Sequence, residues 1–380
     1  MKIGIFYPTL NVCGGAEFVT VVMANALARQ KQHVILFTND RVSQPMLESY
    51  FGESLNPSVK SIPQSSLFNP RGLLDFYQTF YRTLALKLRC DVLVDVYSNC
   101  VFPWGDVSYV HFPFLNSSFY TPRFPYWKSR HLLQMGALPY VAVEKNAVSY
   151  EDKLVLANSR YTADEIKRFS GKQATVLYPP VPSAFFKHSP SELEASRREN
   201  LVVTISRFGP DKGLEKIPQI AARSDPTVHF AIVGRTHDLM VLQTLKDAVV
   251  KLGVQDRVKF FTDLPMSQME ELLLHAKVYL HTMVGEHFGI STVQAMALGC
   301  LPVVHDSGGA REFVEADLRY RTVEEAAETV AKVLAEWSPR ETLKQAAKAD
   351  RFKEQNFAQR FLALFDCFVS SRTRRNSGKS

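Results

Sequence analysis

The chain has 380 residues, 46% of them hydrophobic and 22% charged, with a net charge of +7. That is enough for two domains with real cores, and it excludes a disordered or fibrous chain. Five scattered cysteines, none in a CxxC pair, argue against a zinc site or a disulfide scaffold and suit a reducing, cytoplasmic compartment.

The first element expected is a strand, KIGIFY, which opens the chain and leads straight into a glycine turn, so it does not read as a signal peptide. A helix follows over AEFVTVVMANALARQ, then strands at HVILFTN, DVLVDVY, VSYVHF, KLVLANS and TVLYPP. These runs are rich in Val, Ile and Leu on both faces, as in parallel strands covered on both sides. The most apolar helical stretch, HLLQMGALPYVAVEKNAV, is broken by a proline and falls short of the ~20 apolar residues of a membrane span.

The Pro-rich, then charged segment after TVLYPP reads as a linker over 186–199. Beyond it the alternation restarts with LVVTISRF, VHFAIVG, VKFFTD, VYLHT and LPVVHD. The expected organisation is α/β: Rossmann-like doubly wound domains at 1–185 and 200–350, a helix over 351–370 that packs on either half, and a basic disordered tail at 371–380. Ligands in such sheets bind at the carboxyl ends of the strands. The chemistry-bearing residues fall there.

Gly14 and Gly15 follow the first strand and open a helix, where free N–H groups and the helix dipole suit an anion. The GxGxxG dinucleotide fingerprint is absent. His111 ends VSYVH before a proline loop; it is either a loop histidine or a sugar-hydroxyl contact. Arg207 and Lys212 flank a Gly-Pro turn in ISRFGPDKG and suit a diphosphate whose charge grows as it departs. Glu286 lies between VYLHT and a helix expected to start near Ser291, where Phe288, Gly289 and Ile290 lead in. Gln294 can be the far end of an S-x-x-Q capping box with Ser291, or stand where a sugar site would carry a second acid. Gly308 and Gly309 form another small-residue turn at the same edge. Neither a DxD pair nor a metal-ligand spacing occurs, so no metal or other cofactor is expected.

These segments together resemble glycosyltransferase family 4, the retaining GT-B enzymes. The matching residues are GGAE (14–17), YVHFP (109–113), ANSRYTADEI (157–166), LYPPV (177–181), SRFGPDKG (206–213), GEHFGISTVQAMALGCLPVV (285–304) and GGARE (308–312). Their order and spacing carry the likeness over most of the chain. YVHFP, LYPPV and GEHFGI look most like α-1,2-mannosyltransferases that extend lipid-linked oligosaccharides.

The resemblance implies two Rossmann-like domains facing a central cleft, the first for the acceptor and the second for a nucleotide-sugar donor, GDP-mannose before UDP-sugars. It implies that Arg207 and Lys212 bind the diphosphate. Gly15 and the N–H groups of Gly289 and Ile290 would serve the phosphate and sugar, with His111 and Glu286 on the donor sugar. Where the family's second acid meets the ribose, this chain has Gln294. Retention by double displacement needs a carboxylate on the far face of the sugar, for which the sequence offers no candidate. Front-face substitution is the alternative. A non-catalytic sugar-nucleotide-binding subunit is the rival from another class.

The partners expected are the nucleotide-sugar and a glycan or lipid-linked glycan, with no nucleic acid, since no basic stripe is interleaved with aromatics. The stretch FYTPRFPYWKSR (119–130) suits either a peripheral contact with a membrane surface or a hairpin packed on its own domain.

Overall fold

A computed structural model describes residues 1–64, 73–97, 104–113, 153–235 and 238–377, together with Gly136, Leu138, Pro139 and Ala142. The chain divides into two compact units, one of Met1–Pro180 with Glu354–Ser380 and one of Val181–Lys353. The aromatic and basic stretch at 119–130 lies outside the described residues.

The first unit is built on strands β1 (Lys2–Phe6), β2 (His33–Thr38), β3 (Lys60–Pro63), β4 (Val92–Asp95), β5 (Val107–Val110), β6 (Leu154–Ala157) and β7 (Thr175–Val176). Among the described residues they pair in the order β3-β2-β1-β4-β5-β6-β7, and the pairings are parallel. Strands β4 and β5 are buried along their whole length, which is why their sequences run apolar without alternation. Local signals set the helix ends. Ser159 caps Arg160–Ser170 by accepting from the Thr162 N–H, and Gly171, at φ 70°, closes it.

The second unit holds β8 (Glu199–Ile205), β9 (His229–Gly234), β10 (Val258–Thr262), β11 (Ala276–His281), β12 (Leu301–His305) and β13 (Arg319–Tyr320). Their order is β10-β9-β8-β11-β12-β13, again parallel. The order reverses between β8 and β11, so the loops leaving these two strands stand side by side at the switch point, where such sheets take their ligands.

The expected linker at 186–199 is not one. Ser183–Phe186 forms a 3₁₀ turn and Pro190–Ala195 a helix, both within the second unit, with Phe185 and Leu193 buried. The missed signal is a capping box: Ser189 Oγ accepts from the Glu192 N–H, and the Ser189 N–H donates to Glu192 Oε2 at 2.7 Å. The boundary therefore falls at Pro180/Val181 rather than after 185. Val181 and Lys353 pair with each other, so the chain enters and leaves this unit at adjoining positions.

The tail differs too. The helix Glu354–Ser377 belongs to the first unit and runs well into the segment expected to be disordered. Phe357, Phe361 and Phe365 recur every four residues and are buried in the first unit's core. Arg372 anchors the far end, 2.7 Å from Asp106, whose side chain is only 9% exposed. Helical periodicity plus one ion pair outweigh the Ser- and Arg-rich composition.

Candidate functional site

The second unit gathers the densest set. Strand β8 delivers the chain to Arg207, and Pro210–Lys212 forms a 3₁₀ turn closed by Gly213 at φ 65°. A Cβ on Gly213 would stand 2.7 Å from the Thr282 carbonyl oxygen, so only glycine lets this turn press against the loop leaving β11. Two bonds stitch these loops together. Thr282 Oγ1 donates to the Lys212 carbonyl at 2.9 Å, and Lys216 Nζ donates to the Thr282 carbonyl at 3.0 Å.

The result brings Lys212 Nζ to 3.3 Å from Glu286 Oε2. Lys212 Nζ also lies 3.1 Å from Met283 Sδ and 3.7 Å from Asp211 Oδ2. Arg207 is half exposed, its guanidinium 3.4 Å from Asp211 Oδ2. Glu286 is held on both oxygens. Oε1 accepts from the His287 N–H at 3.1 Å, while Oε2 faces Lys212 and, at 3.4 Å, His281 Nε2. Burial pushes the Glu286 carboxyl up, but Lys212 and His281 more than offset this and hold it well below the usual carboxylate range. Burial pushes the neighbouring His287 down to about 4. The site thus holds a lysine, a charged carboxylate and a neutral histidine at neutral pH.

Backbone space around Glu286 comes from two glycines of the next loop. The Gly309 N–H donates to the Glu286 carbonyl at 2.8 Å. A Cβ on Gly308 would lie 2.1 Å from that same carbonyl oxygen, and one on Gly309 would lie 2.1 Å from the His287 carbonyl oxygen. Gly308 and Gly309 therefore shape the site without reacting.

The helix Ile290–Ala297 starts earlier than expected. Its N-cap is Gly289 at φ 97°, and Ser291 is already inside the first turn. The Ser291–Gln294 capping box does not form. Ser291 Oγ instead accepts from the Tyr279 hydroxyl at 2.7 Å, and no bond to the Gln294 amide is found among the described residues. No side chain caps this helix, so the N–H groups of Ile290 and Ser291 remain available to an anion. Phe288, expected among the donor contacts, places its ring in the core. It is 2% exposed and packs on Phe313 and Phe352 at ring separations of 5.1 and 5.3 Å, pinning the loop to the core.

Gly14, Gly15 and His111 belong to the first unit. Gly14 caps Gly15–Arg29, and its N–H donates to Glu17 Oε2 at 2.9 Å, which removes that N–H from the set open to a ligand. Glu17 Oε1 accepts from the Tyr7 hydroxyl at 3.0 Å, so Glu17 locks the glycine turn in place. His111 follows β5; its carbonyl accepts from Thr162 Oγ1 at 3.2 Å and its ring meets Tyr109 edge-on at 5.0 Å. Sequence reasoning missed His281, Asp211 and the locking role of Glu17. For His281 the signal was its place as the last residue of a strand ending at the switch point.

Among the described residues no helix is long and apolar enough to cross a membrane. A family model described as "Glycosyl transferases group 1" matches residues 186–350. The GDP-Man:Man(3)GlcNAc(2)-PP-Dol alpha-1,2-mannosyltransferase of Dictyostelium discoideum is 29% identical over 253 residues, which cover 60% of this chain and 50% of that protein. The protein of the same name from Homo sapiens is 28% identical over 233 residues, covering 55% and 47%. The chain spans about half the length of the curated relatives it matches. Among solved structures, Anabaena Alr3699/HepE in complex with UDP and glucose superposes with a TM-score of 0.71 at 19% identity, covering 97% of this chain and 100% of that one.

Proposed function

We propose, for a chain of GT-B fold whose residues 186–350 form a group 1 glycosyl transferase domain, the transfer of a mannosyl residue from GDP-mannose to a lipid-linked glycan. The observation that carries this reading is the Lys212–Glu286 pair, 3.3 Å apart at the switch point of the second sheet. A cation for a diphosphate and an ionised acceptor for sugar hydroxyls lie within one sugar's reach of each other. The names of the relatives support mannose, guanosine and a dolichol-linked acceptor.

In this reading Lys212 and Arg207 bind the diphosphate, with the open N–H groups of Ile290 and Ser291 beside them. Gln294, whose amide makes no bond among the described residues, reaches the ribose. For Gly15 and His111 the reading stays with the family resemblance, as phosphate and donor-sugar contacts. Glu286 accepts from sugar hydroxyls. Both its oxygens are already engaged and its charge is stabilised, which suits an acceptor and makes it a poor nucleophile. The chemistry that follows is front-face substitution without a metal. The bond from the anomeric carbon to the diphosphate oxygen breaks, and the acceptor oxygen bonds on the same face. The departing diphosphate takes the acceptor's proton. Lys212, Arg207 and the helix N-terminus stabilise the charge that grows on the leaving group. A lipid-linked acceptor implies work at a membrane surface, on its cytoplasmic face.

A donor screen tests this reading. GDP-mannose, UDP-glucose and UDP-N-acetylglucosamine are compared by thermal shift and by nucleotide release, since a bound ligand stabilises by mass action. GDP-mannose should raise the melting point most and be the donor consumed. A UDP-sugar that does both instead overturns the choice of donor, and binding without any release favours a non-catalytic subunit.

A further inference from the structure

We infer that His281 is a positioning residue for transfer, the partner that keeps the Glu286 carboxylate fixed once Lys212 turns to the donor. The inference rests on the reading of Glu286 as a sugar contact and of Lys212 as a diphosphate contact. In the structure Glu286 Oε2 has two side-chain partners, Lys212 Nζ at 3.3 Å and His281 Nε2 at 3.4 Å. A diphosphate carries more charge than a carboxylate and draws the Lys212 ammonium toward itself. Oε2 then keeps His281 alone, while Oε1 keeps the His287 N–H. An N–H on Nε2, donating to Oε2, is all this role requires.

His281 is built to hold still. It is the last residue of β11, paired in register with Val304 of β12. Its carbonyl accepts from the buried Tyr320 hydroxyl at 2.9 Å. The side chain is 8% exposed, so it acts through Glu286 rather than on a substrate. A buried imidazole needs a polar partner, and the one the structure gives Nε2 is Glu286. The free enzyme does not depend on His281 for the charge balance of Glu286, because Lys212 remains; the need arises in the donor complex. A defect at His281 should therefore show in transfer and spare nucleotide binding.

The test uses the whole chain and two variants, His281→Leu and His281→Gln, the second of which returns an N–H donor at about the reach of Nε2. Steady-state transfer from GDP-mannose, GDP binding by calorimetry and the melting temperature are read for each. His281→Leu should lower kcat about tenfold or more, the loss expected for one misplaced contact. GDP lacks the donor hexose that Glu286 would hold, so its Kd should stay within about threefold of the wild-type value, a difference near the floor of a single weak contact. His281→Gln should recover most of kcat. Wild-type kcat in His281→Leu overturns the inference, as do equal losses in both variants or parallel losses of kcat and GDP affinity, which mark a packing role. If the wild-type chain consumes no nucleotide-sugar, the parent reading fails first and takes this one with it; normal wild-type turnover with an indifferent His281 fails the inference alone.

Discussion

Lys212 and Glu286 lie 74 positions apart in the sequence, yet their charged atoms are 3.3 Å from each other. The sheet order makes this possible. Strands β8 and β11 are neighbours, and Gly213, Thr282 and Lys216 bind the two following loops together. The pair is mutually stabilising: Lys212 helps hold the Glu286 carboxyl well below the usual carboxylate range.

Removing the cation should be costly to turnover. Lys212→Ala should lower kcat by roughly 10²-fold, the usual loss when one stabiliser of a developing anion is deleted. The measurement is steady-state nucleotide release at saturating donor. Turnover within a few-fold of wild type would remove Lys212 from the leaving-group site.

The Gln294 amide makes no bond among the described residues, so its replacement should read directly on nucleotide affinity. Gln294→Glu should stay active, because a carboxylate accepts from a ribose hydroxyl at least as well as an amide. Gln294→Leu should weaken GDP binding about fivefold or more, the loss expected for one hydrogen bond. Calorimetry with GDP separates the two. Unchanged affinity in the leucine variant would remove Gln294 from the nucleotide site.

The histidine beside Glu286 gives a pH dependence of stability. Burial lowers the folded His287 pKa to about 4, below its ordinary value. Between about 6.5, the unfolded value, and about 4 the unfolded chain binds more protons than the folded one, so stability falls as pH falls through that window. Glu286, also depressed, adds loss of the same sign below about 4.3, its unfolded value. The melting temperature of wild type should therefore fall between pH 6.5 and 4.5, and His287→Gln should flatten that slope. An identical slope in the variant would mean that His287 does not remain neutral in the folded state.

Gly308 tests the spacing of the loop. It sits at φ 74°, and a Cβ would come within 2.1 Å of the Glu286 carbonyl oxygen. Gly308→Ala should destabilise by about 1–3 kcal/mol and lower turnover by displacing Glu286. Denaturant midpoints and initial rates check both effects. A variant as stable and as active as wild type would show that the loop yields freely.

Much of this was legible in the sequence, for identifiable reasons. Apolar runs such as VLVD and LVVTI read as doubly covered parallel strands because in such sheets both faces are dry. Residues ending those runs, Arg207 and Glu286 among them, read as site residues because the fold puts its ligands there. What escaped was set by tertiary contacts. That the Phe288 ring packs on Phe313 and Phe352 could not be read from its neighbours in sequence. Ser291 has the composition of an N-cap, but the positive φ of Gly289 starts the helix first. Arg372 looked like part of a solvated tail until Asp106, 266 positions away, gave it a partner. His281 carries no motif; only the register of β11 brings it to Glu286.

The central claim is that Lys212 and Glu286 together make the donor site of a hexosyl transfer. The most direct measurement is mannosyl transfer from GDP-mannose to a lipid-linked oligomannose acceptor by wild type, Lys212→Ala and Glu286→Ala, each confirmed folded by circular dichroism. The account predicts turnover by wild type, a loss of about 10²-fold or more in Lys212→Ala and a comparable loss in Glu286→Ala. Wild-type rates in a folded Glu286→Ala variant, or no transfer by the wild-type chain from any nucleotide-sugar, would contradict it.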